Sequence, residues 1–208
     1  MFDNLFPDEY LSSAYGIDYD RLYAEGYRGV IYDIDNTLVP HGAPADNRAL
    51  ALFRHLHELG MQAVFLSNNG EPRVKKFSGI VQEQYIFKAG KPSPGGYRAA
   101  MKMMGTDEKN TFVVGDQIFT DIWGAKRAGL RAILVKPIHP TEEIQIVVKR
   151  LLEKPVLACY RNRCRKEPGN GLNAGRYTSA ALPLIDGREQ HPYGEYSGKP
   201  GCRHPMQD

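Results

Sequence analysis

Two aspartates two residues apart, Asp33 and Asp35, close the apolar run Gly29-Val30-Ile31-Tyr32 and are followed by Asn36 and Thr37. Like charges about 4 Å apart repel by roughly 4 kcal/mol at an effective dielectric near 20, so such a pair demands a cation or a shared proton. A second apolar stretch, Val113-Val114-Gly115, delivers Asp116 and then Asp121 in the same way. A hard divalent ion, magnesium first, answers both arrangements. Ser67, followed by Asn68-Asn69-Gly70, and Lys91 add a hydroxyl with neighbouring amides and a fixed positive charge. Together these are the parts needed to handle phosphate.

Each of these residues stands where an apolar strand runs out. Strands are predicted at 29–34, 61–66, 85–88, 111–115 and 131–135, bounded by polar or Gly/Pro punctuation. Between the first two, Leu52, Phe53, Leu56 and Leu59 recur at helical spacing and stop at Gly60, a suitable C-terminal cap. Further helices are predicted near 72–80, 94–104 and 119–128, and from Thr141 to about Leu152. The last carries Glu142 and Glu143 in its first turn and Lys149 and Arg150 in its last, as the helix dipole favours. Strands alternating with helices imply an α/β fold with a doubly wound parallel sheet, whose ligand crevice lies beyond the carboxyl ends of the strands. The segments 33–37, 67–70, 88–92, 115–121 and 136–139 would then face one cleft.

Taken singly, the motifs are weak. An Asp-x-Asp at a strand end need not bind metal, a lysine before proline is commonly solvated, Ser-Asn-Asn-Gly makes turns, and Gly115-Asp116 could simply cap a helix. Their order is what carries the reading. Asp33-x-Asp35-x-Thr37, Ser67, Lys91 and Gly115-Asp116-x4-Asp121 resemble the four ordered motifs of the haloacid dehalogenase-like (HAD) phosphatases, over about residues 29–136. More narrowly, 32–40, 65–73, 89–92, 115–129 and 136–140 are similar to the subfamily IIIA branch of YqeG type, related to a mitochondrial phosphatidylglycerophosphate phosphatase.

The resemblance implies a Rossmann-like HAD core and a set of roles. Asp33 would attack phosphorus and form an aspartyl-phosphate. Asp35 would act as general acid and then general base, while its main-chain carbonyl binds Mg2+ together with Asp33 and Asp116. Asp121 would orient that metal shell, Ser67 and the amide of Asn68 would hold phosphate oxygens, and Lys91 would neutralise the phosphorylated intermediate. His41, Arg73 and His139 fall in loops on the same rim and are candidates to touch the non-phosphate part of a substrate. Ile122 and Trp123, just after Asp121, are expected in the core.

Only 33 residues separate Asp33 from Ser67, and 23 separate Ser67 from Lys91. The predicted elements nearly consume both intervals, leaving no space for a large cap domain. An open cleft suits a bulky or surface-presented phosphomonoester: a lipid head group, a phosphoprotein or a nucleic-acid end. Kinship favours phosphatidylglycerophosphate. Rival readings are a metal-dependent phosphodiesterase, which would need two metals and more acids, a phospho-accepting regulatory module with little turnover, in which Asp35 would have no purpose, and a scaffold working through its tail.

With 42% hydrophobic residues among 208, the chain can build one domain with an appendage. The formal charge of +3 arises beyond residue 158, where 8 Lys/Arg face 5 Asp/Glu, leaving 19 against 19 before it. Bulk charge therefore argues against nucleic acid as a partner. Three units are expected: an amphipathic segment 1–28 packed on the core, a phosphatase domain 29–158, and a mostly disordered basic tail 159–208. Phe2, Leu5 and Phe6 have a second reading as residues dipping into a membrane surface. All three cysteines, Cys159, Cys164 and Cys202, fall in the tail, which suits a reducing cytoplasm. No signal peptide or membrane span is evident, so a cytoplasmic protein is expected, with peripheral membrane contact as the variant. Cys159-x5-Arg165 has the spacing of a thiol phosphatase but lacks the glycines that curl amides around phosphate. Cys159, Cys164, Cys202 and His204 are badly spaced for zinc. The cluster Arg161, Arg163, Arg165 and Lys166 reads as solvated charge, with anionic lipid or RNA contact as the sharper alternative.

Overall fold

The computed structural model describes residues 3–139 and 144–166. Its centre is a sheet of six parallel strands: β1 (Glu9–Leu11), β2 (Gly29–Tyr32), β3 (Gln62–Leu66), β4 (Gln84–Ile86), β5 (Thr111–Gly115) and β6 (Arg131–Val135). They lie in the order β1-β6-β5-β2-β3-β4. The helices are α1 (Tyr19–Ala24), α2 (Asn47–Leu59), α3 (Glu71–Val81), α4 (Pro94–Met104), α5 (Trp123–Arg127) and α6 (Ile144–Lys166). This is the doubly wound α/β architecture that the strand–helix alternation predicts. Between Asp33 and Lys91 the chain forms only α2, β3, α3 and β4 with their loops, so neither interval holds a separate cap domain.

Strand pleating splits the core into two layers. Val30, Tyr32, Phe65, Phe112 and Val114 face one side with Leu52, Phe53 and Leu56 of α2 and Val74 and Phe77 of α3. Ile31, Val64, Leu66 and Val113 face the other with Tyr97, Ala100 and Met101 of α4, Ala125 of α5 and Val156 of α6. Each of these larger side chains contributes about 1.5–3 kcal/mol by leaving water. Tyr32, Phe53, Phe65 and Phe77 stack edge to face in sequence, with centroids 5.6, 5.2 and 5.2 Å apart. Local chemistry sets the element ends. Asp46 caps α2 by accepting the Ala49 N–H at 2.9 Å, and Gly60 ends it in the left-handed region at φ 78°.

Four features depart from the sequence reading. The amphipathic segment before residue 29 supplies a strand: β1 pairs in parallel with β6, Glu9 opposite Ile133. Glu9 is buried there because Arg21 and Arg131 both reach it. The region 119–128 is not one regular helix but a π-helical turn, Ile118–Ile122, leading into the short α5. Trp123 is not core; it stands 37% exposed with the Arg127 guanidinium over its ring at 5.4 Å, while Ile122 is buried. Finally, α6 runs through Pro155 to Lys166, eight residues past the expected tail boundary at 158. Val156, Tyr160 and Cys164 recur every fourth residue and are all buried. Tyr160 packs on Phe6 at 5.9 Å, and that contact gives the helix a reason to continue beyond a proline that removes one backbone hydrogen bond. Phe2, Cys202 and His204 lie outside the described residues, as do the rest of the tail from 167 and residues 140–143, where the last helix is predicted to begin. No helix of the described residues is long and apolar enough to cross a membrane.

Candidate active site

The loop after β2 turns back sharply. Asn36 sits in the left-handed region at φ 63°, its N–H donates to the Val39 carbonyl at 2.7 Å, and the Leu38 N–H donates to the Ile34 carbonyl at 3.0 Å. Asparagine tolerates that conformation better than most residues. The Asn36 carbonyl accepts the Ile138 N–H at 3.0 Å, which ties the loop after β6, with Lys136 and His139, to the same rim. His139 itself is exposed.

Asp33, Asp116 and Asp121 each offer an oxygen within 4.8 Å of the others. The cation that they demand is on hand. The Lys91 ammonium, buried at 5% exposure, donates to Asp33 Oδ1 and to Asp121 Oδ1, each at 2.6 Å. Burial works against the Lys91 charge, but the carboxylates of Asp121 and Asp33 outweigh it and hold its pKa above the ordinary lysine value. For Asp33 burial dominates: it lifts the carboxyl to about 7, with Lys91 pulling down and Asp121 pushing up. Asp121 is thus the resident partner of the lysine, and Asp33 is held beside it as a weakly acidic carboxyl.

Asp121 has both oxygens engaged, since Oδ2 accepts the Gln117 N–H at 3.1 Å. On Asp116, Oδ1 accepts the Thr37 hydroxyl at 3.1 Å, so the Thr of the first motif orients the acid of the last. The donor set is all oxygen and buried, which is the chemistry a hard divalent cation takes. Gly115 explains how Asp121 comes so close. A Cβ on Gly115 would lie 2.4 Å from the Asp121 Cβ, so only glycine lets the turn fold back over the strand end.

Asp35 points elsewhere. Its Oδ1 accepts the Gly42 N–H at 2.8 Å and Arg73 Nη2 and Nε at 2.8 and 3.2 Å, and its Oδ2 accepts Asn69 Nδ2 at 2.6 Å. The carboxylate of Asp35 is therefore not among the three clustered acids. Arg73, a candidate for substrate contact on the rim, lies in α3 and is half-buried against Asp35. His41 lies at the edge of the same group, with Nδ1 3.9 Å from Asp35 Oδ1.

Ser67 is buried, and its Oγ accepts the Asn69 N–H at 3.1 Å, which fixes the turn after β3. The Asn68 side chain brackets the Lys91 peptide: Oδ1 accepts the Lys91 N–H at 2.8 Å and Nδ2 donates to its carbonyl at 3.2 Å. Thus the second motif holds the backbone that carries the lysine. Two residues that the motif reading passed over also hold the last motif. Tyr97 donates its hydroxyl to the Thr120 carbonyl at 3.0 Å with the Asp121 carbonyl at 3.3 Å, and Glu153 of α6 accepts the Ile118 N–H at 2.7 Å. Tyr97 has a signal at sequence level, since its ring needs the space left by Gly124, where a Cβ would meet its Oη at 2.5 Å.

An acid cluster with a buried lysine, at the carboxyl edge of a parallel sheet, defines a class of site built for phosphate. The HAD-hydrolase-like family model matches residues 88–142. The "Probable phosphatase YqeG" of Bacillus subtilis is 32% identical over 158 residues, which is 76% of this chain and 92% of that protein. The chain belongs to the HAD superfamily of phosphatases, in the family of that relative. The chloroplastic/mitochondrial phosphatidylglycerophosphate phosphatase 1 of Arabidopsis thaliana is 28% identical over 147 residues, and this chain spans 42% of its length. A solved structure described as a putative 3-deoxy-D-manno-octulosonate 8-phosphate phosphatase from Vibrio cholerae is 15% identical, with a TM-score of 0.46 over 62% of this chain and 78% of its own.

Proposed function

We propose that this phosphatase hydrolyses phosphomonoesters through an aspartyl-phosphate on Asp33, with Mg2+ as its cofactor. The observation that carries the reading is the Lys91 ammonium shared between Asp33 and Asp121 inside a buried three-acid cluster. Asp33 Oδ forms a bond to phosphorus as the bond to the ester oxygen breaks, and Asp35 gives that oxygen its proton. Water then attacks phosphorus, the Asp33–phosphorus bond breaks, and Asp35 takes the proton of the water. The products are alcohol and inorganic phosphate. Proton transfers of this kind typically contribute about 10² to 10⁴ in rate. Lys91 offsets the charge on the phosphorylated Asp33, while Ser67 Oγ and the Asn68 N–H hold the other phosphate oxygens. Asp33, Asp116 and the main-chain carbonyl of Asp35 would hold Mg2+, with Asp121 acting on that shell through Lys91 and the turn. The bound ion supplies Lewis-acid neutralisation of phosphate charge.

The open edge supports a bulky or surface-presented substrate, and the plant relative points to a lipid-linked one, phosphatidylglycerophosphate. Turnover of p-nitrophenyl phosphate with and without EDTA, in wild type, Asp33→Asn and Asp35→Asn, tests the chemistry. Expected are loss of turnover with EDTA, abolition by the first change and a loss of at least about 10²-fold by the second. Full activity of Asp33→Asn removes the nucleophile from the scheme. A protein phosphorylated on Asp33 without turnover would instead be a phospho-accepting module. A screen of phosphatidylglycerophosphate, sugar phosphates and phosphopeptides tests the substrate.

A further inference from the structure

The turn that carries Asp121 begins with two consecutive backbone N–H groups, both held by carboxylates. Gln117 N–H donates to Asp121 Oδ2 at 3.1 Å, within the turn, and Ile118 N–H donates to Glu153 Oε1 at 2.7 Å, from a helix 35 positions further along the chain. The first N–H groups of any helix have no partner inside it and must find one. Here Gln117 provides no side-chain cap for them. Glu153 is 4% exposed, so its carboxylate has given up most of its water, which is costly unless good donors replace it. Val156, one turn further along α6, is packed in the core layer that contains Ile118 and Ile122. The α6 helix is therefore fastened to this turn by a buried hydrogen bond and by apolar contact side by side.

The consequence reaches the lysine. Asp121 Oδ1 holds the Lys91 ammonium, and the position of Asp121 depends on the turn that starts at Ile118. From above, Tyr97 holds the carbonyls at the far end of that turn. From α6, Glu153 holds its first N–H. We propose that Glu153 is a positioning residue for the active site: by accepting the Ile118 N–H it fixes the turn that sets Asp121, and through Asp121 it sets Lys91. In this role Glu153 acts through the turn and not on the phosphate itself. The proposal rests on the phosphatase reading for its effect on rate, but not for its effect on the turn.

The test compares Glu153→Leu, which removes the acceptor, Glu153→Gln, which keeps an acceptor oxygen at the same reach, and Glu153→Asp, which shortens the reach by one methylene. Backbone amide exchange at Ile118 is read by NMR, alongside kcat and KM for p-nitrophenyl phosphate. Loss of a hydrogen bond to a charged group predicts exchange at Ile118 faster by about tenfold or more in the Leu variant, and kcat lower by about tenfold or more with KM nearly unchanged. Glu153→Gln recovers most of both, and Glu153→Asp falls between. In an Asp121→Asn background the Leu change costs little further rate, because both act along one line. Unchanged exchange at Ile118, an unchanged kcat, a Gln variant as poor as the Leu variant, or losses that multiply with Asp121→Asn would each overturn the proposal. If the Leu variant fails to fold, the Asp and Gln variants decide by the same two readouts. A wild-type protein inactive on every phosphomonoester defeats the hydrolase reading, whereas faster exchange at Ile118 still upholds the fastening of α6 to the turn.

Discussion

Arg73 aims two N–H groups at one oxygen of Asp35, Nη2 at 2.8 Å and Nε at 3.2 Å, and so takes the second acid of the Asp-x-Asp pair away from the first. The repulsion expected between Asp33 and Asp35 is relieved by giving each its own cation, Lys91 for one and Arg73 for the other. Replacing Arg73 with Met should leave Asp35 to swing, lowering kcat by about tenfold or more while KM moves less. Arg73→Lys should recover only part of this, since a single ammonium cannot present two fixed N–H groups to one oxygen. Steady-state kinetics of both variants on p-nitrophenyl phosphate measure the split; a raised KM with kcat unchanged would assign Arg73 to substrate binding instead.

Lys91 is the counter-ion of two buried carboxylates. Lys91→Met strands both, and breaking a buried ion pair from one side typically costs about 3–5 kcal/mol. Urea unfolding at pH 8 in EDTA should report a loss of that order, with turnover abolished. A variant as stable as wild type would mean that water, not the lysine, compensates the acids.

The raised pKa of Asp33 has a definite sign in metal-free protein. Its carboxyl is pushed up to about 7 in the folded chain from an ordinary aspartate value of 3.8, so between these values the folded state holds a proton that the unfolded chain has released. The contribution of Asp33 to stability should therefore be fully present below the lower value and be lost as pH rises towards and through 7. Added Mg2+ must displace that proton. Its apparent affinity should fall about tenfold per pH unit below 7 and level off above it, with proton release seen by calorimetry in buffers of different ionisation enthalpy. Affinity independent of pH between 5.5 and 8 would remove Asp33 from the ligand set.

Two glycines make room for the last motif. Gly115→Ala drives a methyl into Asp121, and Gly124→Ala drives one into the Tyr97 ring. Overpacking of this sort costs about 1–3 kcal/mol. Thermal melts should show both variants destabilised. Turnover should suffer more in Gly115→Ala, because the displaced residue itself holds Lys91.

Much of this was readable from residue types. Strands β2, β3, β5 and β6 announce themselves as apolar runs ending in chemistry-bearing residues, and their common carboxyl edge follows from strand–helix alternation. Two elements hid for opposite reasons. Strand β1 is three residues long and starts with Glu9, a residue that reads as solvent-facing until Arg21 and Arg131 are seen around it. The far half of α6 was masked by Pro155, a residue that normally stops a helix, although Glu153, Val156, Tyr160 and Cys164 keep a helical spacing across it. The partners of Asp35 were unreadable in principle. Which way a strand-end carboxylate turns depends on where distant side chains reach, and Asn69 comes from the loop after β3 while Arg73 comes from the first turn of α3. The same holds for Glu153, whose single-letter context carries no mark of the turn it fastens.

The placement of β1 has a consequence for how a newly made chain reaches its final form. Glu9 leaves the ribosome 124 positions ahead of Ile133, its neighbour across the sheet. In the finished order β6 is the strand beside β1, so the native pairing of β1 needs β6 to have been made. Of the six strands, β1 is translated before the other five, yet the one it pairs with, β6, is translated after all of them, so that this edge of the sheet closes only across the full span of the fold.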